Sequence, residues 1–482
     1  MPTLTGKFEI SEQQNHDFAV LSGDYNPLHV DPVYARRLQF GRPVIHGVHH
    51  LLRVCDLVCA QLGDSKLVRF KNLKAVFPNP VSVGQLINYE CHVSDAGDAF
   101  DISAFCGDKM ILSLKAQLFD RYDKKHDLQV KNIFPPKEAP VLQVFPPHHS
   151  EGECDLYLDV DACQKLFPNL AVSLDLLQIA LLLSCTRIVG MKCPGMHSIF
   201  SRINLEFFSD KVADVIGGQI HYFENYKDGR VQIMKVGVKS DVMEGVLDTF
   251  FRPTPVTQAS YAELCARVTP GEFMGRRALI IGGSRGVGET TAKILAAGGA
   301  DVVVTYNNGL ADAQAIENEI NDSSLPGTCK VIQLDVCDVD AHSAFRFADG
   351  QLPTHIYYFA SPYIQANRNA CWDAELYGKF CRFYLQAFSE IVALYADAAQ
   401  ECEEISFFYP STIYIEKPEK GFSEYAVAKA AGEALCIQLA SRYRTSQFIT
   451  PRLARMATDQ TSSIIPVKSE STFDVMYKAL TT

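Results

Sequence analysis

The sequence predicts two α+β units in tandem, followed by an α/β domain built on a parallel sheet. Two apolar helical runs, Val48 to Leu62 and Ser173 to Val189, are each followed by four segments in which apolar and polar residues alternate. A third region begins differently: the apolar strand Arg277–Ile281 runs straight into a glycine loop and a helix. At 482 residues the chain is too long for one hydrophobic core. It divides into residues 1–125, a linker at 126–150, a repeat at 151–255, a second linker at 256–271, and a last domain at 272–482.

In the first unit, Ser11 to Leu21 reads as a short amphipathic helix with Phe18, Ala19 and Leu21 on its apolar side, stopped by the Ser22-Gly23 turn. The alternating segments are Val68–Phe77, Gln85–Val93, Ala99–Cys106 and Lys109–Leu118. One long helix followed by such strands predicts an antiparallel sheet wrapped around a central helix. The first linker carries Pro135, Pro136, Pro140, Pro146 and Pro147 among charged residues. Beyond it the plan repeats, with strands expected at Pro194–Phe208, Val215–Glu224, Val231–Lys239 and Gly245–Arg252. The last domain places strands at Asp301–Thr305, Val331–Leu334, His355–Phe359 and Ser406–Tyr409.

A net charge of -11 without long runs of Lys or Arg argues against nucleic acid or an anionic membrane as a partner. The 15 cysteines form no C-x-x-C pair and fit a reducing compartment better than a disulfide framework. The first fourteen residues lack an apolar signal core, and Leu174 to Leu183 is too short to span a bilayer, so a cytoplasmic location is expected. No cysteine stands in a recognisable nucleophile setting.

Candidate chemistry concentrates in Leu21-Ser-Gly-Asp-Tyr-Asn-Pro-Leu-His-Val-Asp-Pro32, followed by Phe40-Gly-Arg-Pro-Val-Ile-His-Gly47. An acid and an imidazole five residues apart, Asp24 and His29, can act on one water, one taking a proton and the other returning it. Asp31 reads as a turn residue before Pro32. No metal site is expected at His49 and His50, because no carboxylate stands at ligand spacing. The runs SGDYNPLHVDPVYA, FGRPVIHG and FPNPVSVGQLI resemble the MaoC-like, R-specific enoyl-thioester hydratase family, whose fold is a hotdog. The resemblance covers nearly all of the first 120 residues and implies that Asp24 and His29 bind and activate the water. It also implies that Asn26 orders loop and water, and that the backbone N–H of Gly47 receives the thioester oxygen at a helix N-terminus.

The stretch RIVGMKCPGMHSIFSRINLEFF resembles a hotdog of the same superfamily but brings no second acid–histidine motif. It reads as a degenerate copy, so the expected fold is an α+β double hotdog followed by an α/β Rossmann-type domain. A fused second copy supplies the sheet-edge partner that a homodimeric relative takes from another chain. Asp175 reads as a cap or exposed acid.

In the last domain, Gly282, Ser284, Arg285, Gly286, Val287 and Gly288 lie between strand and helix, where backbone amides face a dinucleotide pyrophosphate. Tyr306-Asn307 stands where an NAD enzyme usually carries an acid, and with Arg285 this favours NADP(H). Asp335 and Val336 mark the adenine position. Together with Tyr425-Ala-Val-Ala-Lys429 and Pro410-Ser411, this resembles the short-chain dehydrogenase/reductase family, in particular its NADP-dependent oxoacyl reductases. The resemblance implies Tyr425 as general acid, Lys429 as the group that lowers the tyrosine pKa and holds the ribose, Ser411 as the carbonyl-positioning hydroxyl, and Ala360 at the cofactor.

Departures from the family are Ile281 before the glycine loop, Phe359-Ala-Ser361 in place of Asn-Ala-Gly, no identifiable asparagine between Trp372 and Phe388, and only 31 residues after Pro451. The last strand is therefore open to being missing. The expected function is a bifunctional enzyme that reduces a 3-oxoacyl thioester with NADPH and dehydrates the product, in fatty-acid or polyketide assembly. Its substrate is carried on acyl carrier protein or coenzyme A, and a homodimer through the reductase domain is expected. Two alternatives stand beside it: hydration and oxidation in acyl-CoA breakdown, and an active dehydratase with a silent, scaffold-like reductase domain.

Overall fold

A computed structural model describes residues 3–38, 40–63, 68–119, 133–142, 151–208, 218–322, 327–338, 343–364, 366–367, 371–399, 404–461 and 467–482. The chain forms two compact units that part between Thr254 and Pro255.

The first unit opens with β1 (Thr3–Phe8) and α1 (Glu12–Ser22), whose Ser11 and Gln14 form a reciprocal capping box. Short helices α2 (Pro27–Val30) and α3 (Pro32–Ala35) follow, then α4 (Gly47–Leu62), β2 (Phe70–Val76), β3 (Ile87–Val93), β4 (Ala99–Cys106) and β5 (Lys109–Leu118). The repeat consists of β6 (Glu151–Asp155), α5 (Val160–Leu166), α6 (Leu170–Ser173), α7 (Leu176–Arg187), β7 (Ser198–Phe207), β8 (Gln219–Asp228), β9 (Ile233–Lys239) and β10 (Met243–Phe251). The ten strands make one sheet in the order β1-β3-β4-β5-β2-β7-β10-β9-β8-β6. Read from its middle outward, each half has the same order, so the two repeats are related by a pseudo-twofold axis. The antiparallel pairing of β2 with β7, from Asn72 opposite Glu206 to Val76 opposite Arg202, closes the edge that each copy would otherwise expose. One core, including Leu51, Leu52, Leu181 and Leu182 of the two long helices, joins both halves.

Strands β4 and β5 match their expected bounds, and the other strands of the double hotdog shift by a few residues. The start of the expected Val215–Glu224 strand lies outside the described residues, as do Pro146 and Pro147. The described part of the first linker is an extended arm: Val141 donates its N–H to the Met191 carbonyl at 2.7 Å and accepts from Met196 N–H at 3.0 Å. Asp175 is buried, caps α7 by accepting from Leu177 N–H, and pairs with Arg69 at 3.2 Å.

The second unit begins earlier than expected. Residues 256–271 are not a bare linker: α8 (Tyr261–Cys265) buries Tyr261 and Leu264 in the core of the domain. There follow β11 (Arg277–Ile281), α9 (Gly286–Ala297), β12 (Asp301–Tyr306), α10 (Leu310–Asn321), β13 (Thr328–Gln333) and β14 (His355–Tyr358). Then come α11 (Ala374–Cys381), α12 (Phe388–Ala398), β15 (Ser406–Phe408), β16 (Ser411–Thr412), α13 (Ser423–Arg442), β17 (Gln447–Ile449), β18 (Arg452–Leu453) and α14 (Thr472–Thr481). The parallel sheet runs β13-β12-β11-β14-β15-β17, with the strand order reversing beside β11, where doubly wound folds bind ligands. Among the described residues this sheet has six strands, and β16 and β18 form a separate two-stranded pair. No helix among the described residues is long and apolar enough to cross a membrane.

Candidate active sites

The first site forms where the loop after α1 meets the start of α4 and the end of α7. Gly23, at φ +74°, ends α1 and turns the chain so that Asp24 points inward. Asp24 Oδ1 accepts from Asn26 N–H at 3.2 Å and Oδ2 from the Thr186 hydroxyl at 2.7 Å. Burial pushes the Asp24 carboxyl above its ordinary value, against the attraction of His29 and the Thr186 hydrogen bond. His29 directs Nδ1–H at the Val44 carbonyl, 2.8 Å away, which leaves Nε2 as the free, basic nitrogen. Burial, then the neighbouring His46, lower its pKa to about 3, so His29 rests neutral.

His46 completes the group. It stacks on His29 with ring centroids 3.8 Å apart and places Nε2 3.0 Å from the Asp24 carbonyl. Donor atoms of Asp24, His29 and His46 all lie within 4.8 Å of one another. His46 Nε2 also lies 3.9 Å from Asp24 Oδ2. Gly47 is the first residue of α4, where an N–H has no acceptor within its own helix.

Asn26 uses its whole amide on protein. Oδ1 accepts from Leu28 N–H and Arg252, and Nδ2 donates to the Gly190 and Met196 carbonyls at 3.1 and 3.2 Å. Two acceptor and two donor positions are thereby filled. These bonds tie the loop to the second repeat and leave the Asn26 amide no capacity to order a water.

Thr186, Gly190, Met196 and Arg252 all belong to the degenerate repeat, and the sequence reading found none of them. A π-helical turn at Ile188–Lys192 brings the Gly190 backbone so close that a Cβ there would lie 2.2 Å from Asp24 Oδ1. The repeat without a catalytic motif therefore builds one wall of the catalytic site.

In the second unit the loop after β11 fits a dinucleotide. Gly282 has φ +77°, and a Cβ on it would stand 2.7 Å from Ala360 N; one on Gly288 would stand 2.5 Å from the Gly282 carbonyl. Only glycine permits this cradle, which leads into the N-terminus of α9 at Gly286 and Val287. Ser284 is buried beside it, and Asn307 is exposed at the end of β12. Asp335 caps a turn by accepting from Cys337 N–H, while Val336 packs in the core. Arg285 lies 3.7 Å from Asp459.

Around Tyr425 the arrangement differs from expectation in two respects. The Ser411 hydroxyl donates to Glu433 at 2.5 Å, and Glu433 in turn holds Arg452. The hydroxyl that acts on Tyr425, drawing its pKa down against burial, is that of Thr412. Moreover, Lys429 donates to the Pro410 carbonyl at 2.8 Å and lies 3.9 Å from the centre of the Tyr384 ring. Burial raises Tyr425 to about 12 and lowers Lys429 to about 7, so Lys429 does not depress the tyrosine here. Tyr384, on a π-helical turn at Arg382–Ala387, also bonds Ser361 at 2.6 Å. Tyr384 belongs to the stretch from Trp372 to Phe388 that carries no identifiable asparagine, and its ring lies against Lys429.

The MaoC like domain model matches residues 2–111, and the short chain dehydrogenase model matches residues 276–349. The (R)-specific enoyl-CoA hydratase of Aeromonas caviae is 33% identical over 103 residues, covering 21% of this chain and 69% of that protein. The chain thus belongs to the MaoC-like family through its first domain, and it carries a short-chain dehydrogenase domain behind it. Peroxisomal multifunctional enzyme type 2 of Mus musculus is 40% identical over 70 residues, 14% of this chain and 10% of that protein. The match therefore spans only a small part of that longer relative. Among solved structures, a short chain dehydrogenase from Burkholderia cenocepacia in complex with NADP aligns at TM-score 0.36 and 24% identity, covering 43% of this chain and 89% of that one.

Proposed function

We propose that this chain processes acyl thioesters at two sites: NADPH-dependent reduction of a 3-oxoacyl thioester, and dehydration of the 3-hydroxyacyl product to the 2-enoyl thioester. Fatty-acid or polyketide assembly is the setting, with the acyl group on a carrier protein or coenzyme A. The observation that carries the reading is the buried pair of Asp24 and neutral His29 beside the N-terminus of α4. In dehydration His29 Nε2 takes the C2 proton, the C2–H electrons form the double bond, and Asp24 gives its proton to the C3 hydroxyl, which leaves as water. The Gly47 N–H stabilises the charge that develops on the thioester oxygen. Burial shifts Asp24 toward its protonated form and His29 toward its neutral form, the forms that dehydration draws on.

Gly282, Gly286, Val287 and Gly288 would hold the pyrophosphate, Arg285 and Asn307 the 2'-phosphate end, and Lys429 the ribose. The bound NADPH supplies hydride. Tyr425, supported by Thr412, gives a proton to the carbonyl oxygen. A homodimer through this domain belongs to the same proposal.

The test is to supply NADPH with a 3-oxoacyl thioester, and separately a 3-hydroxyacyl thioester, carried by coenzyme A and by a carrier protein. Loss of NADPH absorbance and appearance of the enoyl thioester are expected; absence of the enoyl product would refute the dehydratase. Replacing Tyr425 with Phe is expected to lower NADPH oxidation by at least about a hundredfold, with dehydration unchanged. Equal loss at both sites would refute their independence.

Thr186→Val removes a hydrogen bond that lowers the Asp24 pKa, so that pKa rises further. Enoyl hydration, which needs the carboxylate, should then lose rate on the acid side, with the acid limb of its pH–rate profile moved to higher pH. A pH–rate profile identical to that of the parent would contradict this.

Two other readings have particular support. The hydratase name of the Aeromonas relative favours the reverse sequence, hydration then oxidation in acyl-CoA breakdown. The engagement of Lys429 with Pro410 and Tyr384 favours a reductase-like domain that binds without turnover; NADPH binding without consumption would establish it.

A further inference from the structure

Three side chains beside the catalytic loop, Arg252, Tyr34 and His197, each bury one polar atom with no hydrogen-bond partner among the described residues. Arg252 ends the second repeat just after β10 and is only 3% exposed. Its Nη2 donates to Asn26 Oδ1 at 3.2 Å and to the Met196 carbonyl, and its Nε donates to the Ser198 carbonyl at 3.3 Å. Nη1 has no acceptor, and no carboxylate pairs with this guanidinium among the described residues. The Tyr34 hydroxyl faces the same guanidinium, whose carbon lies 6.0 Å from the ring centre; the two interact, but the hydroxyl has no partner at hydrogen-bond geometry among the described residues. His197 buries an unpartnered Nδ1, and its carbonyl accepts the Arg252 N–H at 2.8 Å.

A buried guanidinium without a counter-charge costs several kcal/mol, and unpaired polar atoms add to the cost. Such a group is compensated when an anion reaches it. The position limits which anion that is. Arg252 Nη2 holds Asn26, between Asp24 and His29 in the loop, and the guanidinium charge acts on His29, so an anion bound to this guanidinium stands at the catalytic end of the site and not out at the carrier. Asp31, accepting from the N–H groups of Val33 and Tyr34, fixes the turn that presents Tyr34.

We propose that Arg252, Tyr34 and His197 form a substrate subsite for a carboxylate carried on the acyl chain itself, a few bonds beyond the reacting carbons. The proposal rests on the dehydratase reading of Asp24 and His29. It makes the degenerate repeat a determinant of substrate choice as well as a wall.

The experiment compares kcat/KM for hydration of two 2-enoyl-CoA substrates of equal length, one ending in methyl and one in carboxylate. Parent protein, Tyr34→Phe and Arg252→Met are measured, with folding checked by circular dichroism. The parent is expected to favour the carboxylate substrate at least tenfold. In Tyr34→Phe the ratio should collapse toward one, chiefly through a higher KM for the carboxylate substrate; in Arg252→Met, which also releases Asn26, both substrates should slow and the ratio should collapse as well. A parent preference for the methyl-ended substrate, or a ratio that survives both substitutions, would overturn the subsite. So would an equal loss on both substrates in Arg252→Met with the ratio intact in Tyr34→Phe, since Arg252 would then only hold Asn26. No hydration of either substrate by the parent would instead overturn the dehydratase reading, and the subsite with it.

Discussion

Replacing Gly190 with alanine is expected to reduce dehydration as severely as Asp24→Asn does, by about a thousandfold or more. The added methyl carbon would lie 2.2 Å from Asp24 Oδ1 and 2.6 Å from its carboxyl carbon, so the carboxylate must leave its place between Thr186 and the Asn26 N–H. Gly190 lies in a helical turn and has no positive φ, so alanine strains no backbone there and the fold should persist. The residue stands in the repeat that carries no acid–histidine motif. Steady-state dehydration with circular dichroism as a folding control checks this: a folded Gly190→Ala protein with near-parent activity would show that the carboxylate is not needed where it lies. NADPH oxidation should be unaffected in both variants.

The second large effect concerns acid. His46, His49 and His50 are buried at 0%, 2% and 3% exposure, and burial pushes each pKa down, to about 3 for His46 and His50. Unfolded, each titrates near 6.5, so between the two values the unfolded chain binds more protons than the folded one. Stability is therefore full above pH 6.5 and lost as pH falls below it, at up to about 1.4 kcal/mol per pH unit for each histidine. His29, also lowered to about 3, adds to these three, whereas Asp24 and Asp175, both raised by burial, act in the opposite sense and offset part of the loss. By pH 5 the loss reaches several kcal/mol, comparable with the stability of a typical domain. The double hotdog should therefore unfold well above pH 4, measured as a fall in melting temperature from pH 7 to pH 5. His50→Leu should recover about a quarter of the histidine contribution, one of four such groups; an unchanged melting temperature at pH 5 in the parent protein would contradict the argument.

Much of the fold was legible because its periodicities are local. Alternation over Ala99–Cys106 and Lys109–Leu118 marks strands buried on one face, and the strand, glycine loop and helix around Gly282 form one contiguous segment. The second linker was misread because its two anchoring side chains, Tyr261 and Leu264, are too few to show a period.

Asp24 and His29 could be identified from sequence because the loop that brings them together is only six residues long. Tyr425 and Lys429 could likewise be identified, one helical turn apart on α13. The choice between Ser411 and Thr412 could not be made, since neighbouring residues of a strand face opposite ways and only β16's pairing with β18 decides which hydroxyl meets Tyr425. Nor could any local pattern show that Thr186, Gly190 and Arg252 reach the loop of Asp24. They are brought there by the pseudo-twofold pairing of β2 with β7, across more than 160 residues of chain. The sequence by itself determined which residues can exchange protons; the tertiary structure alone decided what surrounds them, because burial and opposing dipoles depend on packing between distant segments.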